Sequence, residues 1–161
     1  MKIIYLETIN SVKKITKKLS LSEILNFNHT FEISSLILFC IFYGSKESSN
    51  LNKKENQILM DYFIRDIDHS LRLSGIGDMS IGKYVKTYIK KFYFRISELE
   101  NIFSKDVFDN KKFKKYLLKY NIIFENNEFN YDDILLNDLK ILIKRSKNQK
   151  INQNLYKDLF N

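Results

Sequence analysis

The feature that most restricts the fold of this chain is the complete absence of proline, together with only four glycines among 161 residues. Proline breaks helices and tight β-turns depend on glycine, so few positions forbid a helix and few favour the turns of all-β folds. Hydrophobic residues at 44% supply enough apolar surface for a core. The sequence therefore predicts an all-α fold, with residues 1–161 forming a single-domain bundle of about six to seven helices.

Apolar residues at helical spacing place most of the predicted helices. The opening segment, about 1–18, is predicted to be an amphipathic helix, and "SLSE" at 20–23 has the spacing of a capping box. The apolar run from Phe31 to Tyr43 predicts a buried core helix with Gly44 as its C-cap. Further helices are predicted over Lys54–Ser74, 113–124 and 132–145, with a polar turn at 125–130 and a last short helix at 155–160, so that C-terminal helices occupy about 106–160. The helix over Lys54–Ser74 is amphipathic, and one face carries its apolar residues Ile58, Leu59, Tyr62, Phe63, Ile67 and Leu71.

Three of the four glycines lie within eight residues, in "GIGDMSIG" at 75–82. Gly75 follows the helix 54–74 where a C-cap takes a left-handed residue, and Gly77 adds a second flexible point. Asp78 or Ser80 is expected to cap the next helix, and Gly82 is assigned to the same structural corner. A phosphate-binding loop is the alternative, but the segment has neither the GxGxxG nor the GxxxxGK[ST] spacing and follows a helix instead of a strand.

The helix predicted over 80–103 carries a continuous apolar stripe and is expected to pack on the core. Its outer side places Lys83, Lys86 and Lys90 one above the other, and Tyr93, Phe94 and Arg95 extend this surface. Aromatic residues on a polar face often mark a contact site. This face is therefore the best candidate binding site in the sequence. The stripe itself consists of Ile81, Val85, Tyr88, Ile89, Phe92, Ile96, Leu99 and Phe103.

The formal net charge is +8, and the excess lysine lies in four clusters at 13–18, 83–91, 111–120 and 140–150. Such a surface favours an anionic partner, whether RNA, a ribosome or an acidic membrane face. The abundance of lysine, asparagine and isoleucine also fits a bias in genome composition, in which case part of the charge is only a solvated surface.

No catalytic or metal-binding constellation is visible in the sequence. His29 and His69 lack paired-ligand spacing, and the Asp66–His69 spacing is more common on a solvated helix face than in an acid–base pair. The lone Cys40 lies in an apolar run that is expected to raise its pKa and make it unreactive. We therefore expect no metal, no cofactor and no enzymatic activity.

The corner and its flanking helices, "DYFIRDIDHSLRLSGIGDMSIGKYVKTYIKKFYFR" at 61–95, resemble the signature of the ubiquinol–cytochrome c chaperone family. Phe94 departs from that pattern, because the family usually has glycine there. The segments "TFEISSLILFCIFYG" and "YLLKYNIIF" resemble the flanking regions of the family more weakly. The matching positions are Asp66, Asp68, Leu71, Arg72, Gly75, Gly77, Asp78, Lys83, Lys86, Phe92, Tyr93 and Arg95.

This resemblance implies a non-enzymatic, all-helical assembly factor for the cytochrome bc1 complex that acts on nascent cytochrome b. A second assembly factor, the ribosome and a peripheral contact with the inner membrane are further expected partners, and DNA is not. The expected location is the bacterial cytoplasm or the cytoplasmic face of the inner membrane, with the mitochondrial matrix as the lesser alternative.

In this hypothesis Arg72 and the lysines meet acidic or phosphate groups, while Tyr93 and Phe94 contact an apolar client segment. Arg95 belongs to the same surface. The rival hypothesis, based on the lysine clusters alone, is a general basic helical protein that binds RNA or ribosomes.

Overall fold

The computed structural model describes residues 2–18, 26–46, 52–103, 109–123, 131–148 and 150–160. All regular structure in these ranges is helical, so the predicted all-α class is confirmed. The predicted capping box at 20–23 and polar turn at 125–130 lie outside the described residues. The elements are α1 (Lys2–Lys18), α2 (Phe27–Ser45), α3 (Lys53–Leu73), α4 (Asp78–Phe103), α5 (Asn110–Lys119), α6 (Tyr131–Asn148) and a 3-10 turn (Gln153–Tyr156).

The centre of the fold is α2, which packs against α1, α3, α4 and α6. All its residues from Phe31 to Ile41 are buried, as expected for a helix that is apolar on almost every side. The predicted buried core helix is therefore confirmed. It begins earlier than predicted because the side chain of Asn26 accepts a hydrogen bond from the backbone N–H of His29 at 3.1 Å, which caps the helix.

Gly44 does not end α2, so its predicted role as the C-cap is wrong. The helix continues to Ser45, and Gly44 lies where α6 comes closest. A Cβ at this position would lie 2.3 Å from the carbonyl oxygen of Ile143 and 2.9 Å from Cβ of Ser146. Glycine is needed here because the backbones of two helices meet, and its conformational freedom is not required.

The amphipathic character predicted for α1, α3 and α4 is confirmed. In α1, Ile4, Val12 and Ile15 are buried while the lysines at 13, 14, 17 and 18 are exposed. Along α3 and α4 the residues predicted to face the core are buried or half-buried, and all except Ile58 join one hydrophobic cluster with α2. The fully buried members are Leu59, Phe63, Ile67 and Leu71 on α3, and Ile81, Phe92 and Leu99 on α4.

The C-terminal residues close the core from the side of α1 and α6. Instead of the predicted short helix at 155–160, a 3-10 turn forms, and Leu155 and Phe160 are buried beyond α6. The Arg145 guanidinium holds this turn by donating hydrogen bonds to the carbonyl oxygens of Leu155 and Lys157, at 3.1 and 2.6 Å. α5 also differs from its prediction, because it begins at Asn110 after the cap at Asp109.

Candidate functional site

The corner between α3 and α4 is a complete helix C-cap followed by a new helix. Gly75 has a φ of +88°, and its N–H donates to the carbonyl of Arg72 at 2.9 Å. The N–H of Ile76 donates to the carbonyl of Leu71 at 3.2 Å. These two bonds form a Schellman motif, in which the residue after the helix is left-handed. The left-handed conformation predicted for Gly75 is therefore confirmed.

The start of α4 differs in detail from the prediction. The backbone carbonyl of Gly77 accepts hydrogen bonds from the N–H groups of Ser80 and Ile81, at 2.9 and 3.1 Å. Gly77 is therefore the capping residue, and Asp78, predicted to be the cap, is the first residue of the helix. Its carboxylate, at a helix N-terminus, still interacts favourably with the helix dipole.

Gly82 is not part of the corner, which corrects its assignment there. It lies inside α4, it is exposed, and a Cβ added to it would meet no atom within 4 Å. Neither the backbone conformation nor close packing therefore requires glycine at this position. Its effect is to leave an open space on the surface of α4.

Arg72 connects the two helices across the corner. Its Nε donates to Oδ2 of Asp68 at 2.7 Å, and its Nη1 donates to Oδ1 of Asp78. The hydrogen bonds with Asp68 and Asp78 raise the pKa of the Arg72 guanidinium. The guanidinium, predicted to meet acidic or phosphate groups of a partner, is thus already held by two carboxylates of its own chain.

The outer face of α4 carries the other predicted contact residues in exposed positions. Lys83, Lys86 and Lys90 are exposed and form no ion pair with any described residue. Tyr93 and Phe94 follow, with 59% and 55% of their surface exposed. These five residues therefore form one continuous basic and aromatic surface.

Arg95 does not belong to this surface, so its predicted role as a contact residue needs correction. Its side chain is only 12% exposed, and its Nε and Nη2 donate to the two carboxylate oxygens of Glu32 on α2, at 2.8 and 2.9 Å. The guanidinium carbon also lies 3.6 Å from the ring centroid of Tyr120. Burial acts to lower the pKa of Arg95, but the bonds and charge of Glu32 outweigh it and raise the pKa. Arg95 thus joins α4 to α2.

An apolar groove between α3 and α4 was not foreseen from the sequence. Its floor consists of Ile64, Val85 and Ile89, all half-buried, and Gly82 leaves one end open. The cavity has a volume of about 450 Å³. Its charged rim is formed by Arg65, Asp68 and Lys86. We call these seven residues the apolar groove.

The sequence did contain a partial signal for this groove. Val85 and Ile89 belong to the predicted apolar stripe of α4, and an incompletely covered stripe leaves an apolar surface. Two exposed apolar residues at the corner between α3 and α4 also escaped notice, because single positions at a corner have no periodicity. Leu73 is 76% exposed at the end of α3, and Met79 is fully exposed at the start of α4.

The residues singled out for possible catalysis or metal binding lie apart from one another in the described structure. The described residues contain no group of three or more His, Cys, Asp or Glu side chains that could hold a metal ion. Asp66 accepts a hydrogen bond from the hydroxyl of Tyr5 at 2.9 Å, while His69 is exposed. Cys40 is buried, which raises the pKa of its thiol. Among the described helices, none is long and apolar enough to cross a membrane.

The described residues thus form an all-helical fold with an open apolar groove and a charged rim on its surface. The family model for the ubiquinol-cytochrome C chaperone matches residues 25–144, which include α2 to α5 and most of α6. The chain belongs to this family. Comparisons with curated proteins and with solved structures find no match.

Family membership supports a chaperone role in assembly of the bc1 complex. It suggests a non-enzymatic function, the binding of a component of that complex, and a location associated with a membrane.

Proposed function

We propose that this chain is an assembly chaperone that holds an apolar segment of newly made cytochrome b in the apolar groove between α3 and α4. The observation that carries this proposal is the groove itself, whose open apolar floor lies beside exposed cations. The family to which the chain belongs supports the same role. A chaperone for a membrane subunit must cover apolar surface reversibly, and an open groove permits both entry and release.

The dimensions of the groove suit a short helical segment. Gly82 and Ile89 lie seven positions apart on α4, which is about 10 Å along a helix axis. Two turns of a client helix present a similar length. Such helix-in-groove binding uses apolar side chains that recur every three or four residues. Gly82 allows the client backbone to approach α4 closely, because no side chain stands there.

The rim of the groove favours a client whose apolar segment is flanked by negative charge. Arg65 and Lys86 border the floor from opposite helices, and neither forms an ion pair with a described residue. Asp68, the carboxylate of the rim, is already bound by Arg72. Acidic residues next to the client segment, or lipid phosphates at a membrane surface, would meet these cations.

Exposed apolar side chains extend the contact beyond the groove. Leu73 and Met79 lie at the corner end of α3 and α4, and Tyr93 and Phe94 lie further along α4. Exposed apolar side chains on the surface of a folded protein are typical of interaction sites. Lys83 and Lys90 continue the basic rim in both directions. In this role, contacts with the inner membrane, the ribosome or a second assembly factor would bring the chain to its nascent client.

The sharpest test fills the groove without disturbing the fold. A Gly82→Leu variant places a side chain in space that is empty in the folded protein. We expect it to fold normally, to lose cytochrome b from the material that copurifies with the tagged chain in mild detergent, and to lower the amount of assembled bc1 complex. The matched control is Asn10→Leu, which adds the same apolar bulk at an exposed position of α1.

Charge reversal separates this proposal from general RNA binding. We expect Lys86→Glu with Lys90→Glu to weaken cytochrome b recovery, and recovery by the unmodified chain to persist at high salt because the floor is apolar. A general RNA-binding protein would instead bind arbitrary RNA and lose it steeply as salt rises. Normal bc1 assembly in both Gly82→Leu and the double lysine variant would refute the proposed site.

A further inference from the structure

The outer side of α1 carries exposed residues that the proposed client site does not use. Ile3 and Leu6 are 59% and 50% exposed, and they are neighbours on the helix surface because they lie three positions apart. Lys13 and Lys17 are also exposed and lie further along the same side. Since each residue turns an α-helix by about 100°, these four side chains fall within an arc of about 80°. We call these four residues the α1 face.

The opposite side of α1 is fixed against the rest of the fold. The hydroxyl of Tyr5 donates to Oδ2 of Asp66 on α3 at 2.9 Å, and the Tyr5 ring stacks on Tyr62 with centroids 5.8 Å apart. The buried hydroxyls of Thr8 and Tyr156 are hydrogen-bonded at 2.6 Å. A rotation of α1 that covered its outer side would break these contacts. The α1 face is therefore held outward in the folded chain.

The charge of α1 indicates what kind of partner fits this face. The helix contains five lysines and a single acidic residue, Glu7. Among the described residues, no carboxylate forms an ion pair with Lys13 or Lys17. A complementary partner therefore offers negative charge and an apolar surface side by side. An anionic phospholipid bilayer has this composition, because its phosphate groups lie directly above its acyl chains.

The layout of the α1 face matches the plane of such a bilayer. Ile3 and Lys17 lie fourteen positions apart, which is about 21 Å along the helix axis, so the face is an extended line. The two apolar side chains form one end of this line, and the two lysines form the other. A lysine can lay its apolar stem along an apolar surface while its ammonium group stays among the phosphates. Both ends of the face therefore find their preferred environment at one bilayer surface.

We propose that the α1 face docks the chain on a bilayer that contains anionic phospholipid. Ile3 and Leu6 enter the boundary between the headgroups and the acyl chains, and the ammonium groups of Lys13 and Lys17 bind phosphate. The α1 face lies on a different helix from the apolar groove, and it lies outside residues 25–144, which the family model matches. The inference therefore depends on neither the proposed client nor the family.

Vesicle binding by the full chain tests this proposal. Phosphatidylcholine vesicles, with or without phosphatidylglycerol, are mixed with the chain at low salt and separated by flotation. We expect binding only to the vesicles that contain phosphatidylglycerol. Added salt should weaken this binding without abolishing it, because salt screens the lysines but not the inserted apolar side chains. Equal binding to both kinds of vesicle, or binding to neither, would overturn the proposal.

Lysine variants assign the charge contribution to α1. A lysine near an anionic membrane surface raises the affinity about fivefold. Lys13→Gln combined with Lys17→Gln should therefore weaken vesicle binding about 25-fold. The matched control combines Lys111→Gln with Lys144→Gln, which removes the same charge from exposed positions on α5 and α6. An equal loss in both double variants would indicate general charge attraction and would overturn the docking surface.

Apolar variants test insertion separately. Ile3→Ser combined with Leu6→Ser should weaken vesicle binding about tenfold, and high salt should then remove the remainder. The matched control combines Ile134→Ser with Leu73→Ser, which changes the same residue types at positions that are 54% and 76% exposed. Asn10→Leu, on the same side of α1, should strengthen vesicle binding and leaves the apolar groove unaltered. Unchanged binding after the loss of Ile3 and Leu6 would contradict insertion.

A second copy of the chain is the other candidate to cover the α1 face, and sedimentation without lipid distinguishes it. We expect the same oligomeric state with and without the Ile3→Ser and Leu6→Ser changes. A dimer that dissociates in this variant would overturn the lipid proposal. In contrast, vesicle binding that depends on the α1 face, in a chain that recovers no cytochrome b, would support the docking surface and refute only the proposed client.

Discussion

The buried ion pair between Arg95 and Glu32 gives the most decisive test of how this fold is held together. Both side chains are almost inaccessible, 12% and 11% exposed, and two hydrogen bonds of 2.8 and 2.9 Å join them. An Arg95→Met variant would leave the Glu32 carboxylate buried without its donors. Breaking a buried pair from one side costs about 3–5 kcal/mol. The lost contact with Tyr120 adds about 0.5–1 kcal/mol.

These magnitudes lead to a clear expectation for unfolding. A domain of this kind is stable by about 5–15 kcal/mol in total, so a loss of about 4 kcal/mol is large. With a urea dependence of about 2 kcal/mol per molar, the midpoint of unfolding should fall by about 2 M. The measurement is urea unfolding of the full chain at pH 7, followed by far-ultraviolet circular dichroism.

Three further variants separate the ion pair from simple loss of charge. Arg95→Lys retains the charge but loses the two-pronged geometry, so we expect an intermediate midpoint. Glu32→Leu combined with Arg95→Met removes both charges and should be more stable than Arg95→Met alone. Arg72→Met, at the exposed corner, should shift the midpoint far less. An Arg95→Met variant with a normal midpoint but defective client binding would refute this reasoning and restore Arg95 as a contact residue.

Three other changes test separate parts of the fold. The buried hydroxyl of Tyr116 has no hydrogen-bond partner among the described residues, so Tyr116→Phe should stabilise the fold by about 1 kcal/mol in urea unfolding, and a loss would contradict this. Gly44→Ala should destabilise it by about 1–3 kcal/mol in the same assay because Cβ would overlap the carbonyl of Ile143; an unchanged midpoint would argue against the close approach. Burial raises the pKa of Tyr5, Tyr116 and Tyr156, so the unfolded chain loses these protons above about pH 10 while the folded chain keeps them. The three tyrosines should therefore lower the stability above that pH by about 1.4 kcal/mol per pH unit each, in addition to a loss from the buried Cys40 thiol that begins at lower pH. The fall should be less steep in Tyr5→Phe, and a flat urea midpoint from about pH 9.5 to 11 would contradict this.

Most of the helical fold could be predicted because its signals are local. The apolar periodicity of α3 and α4 identified the residues that face the core, such as Phe63 and Leu99. Gly75 was predictable for the same reason, since a helix end that continues into a corner needs a left-handed residue. The bounds of α2 were less accurate because a run of apolar residues hides the cap at Asn26.

The parts that could not be predicted depend on which helices meet. Arg95 lies in a basic segment, where an arginine is expected on the surface. Its partner Glu32 is 63 positions away in the sequence, so no local pattern indicates the ion pair. Gly44 resembles a helix C-cap until α6 is placed against it. The apolar groove likewise exists only because α3 and α4 leave Val85 and Ile89 partly uncovered, and the spacing of apolar residues does not reveal how completely a stripe is covered.

The most direct test of the proposed client site is crosslinking from its floor in living cells. A photoreactive amino acid is placed at Ile89, in the apolar groove, or at Asn10, exposed on α1, and the products are identified by mass spectrometry. We expect cytochrome b among the products from position 89 and not from position 10. Assembly of the bc1 complex at normal levels, with no cytochrome b crosslinked from position 89, would contradict the proposal that the groove holds the client.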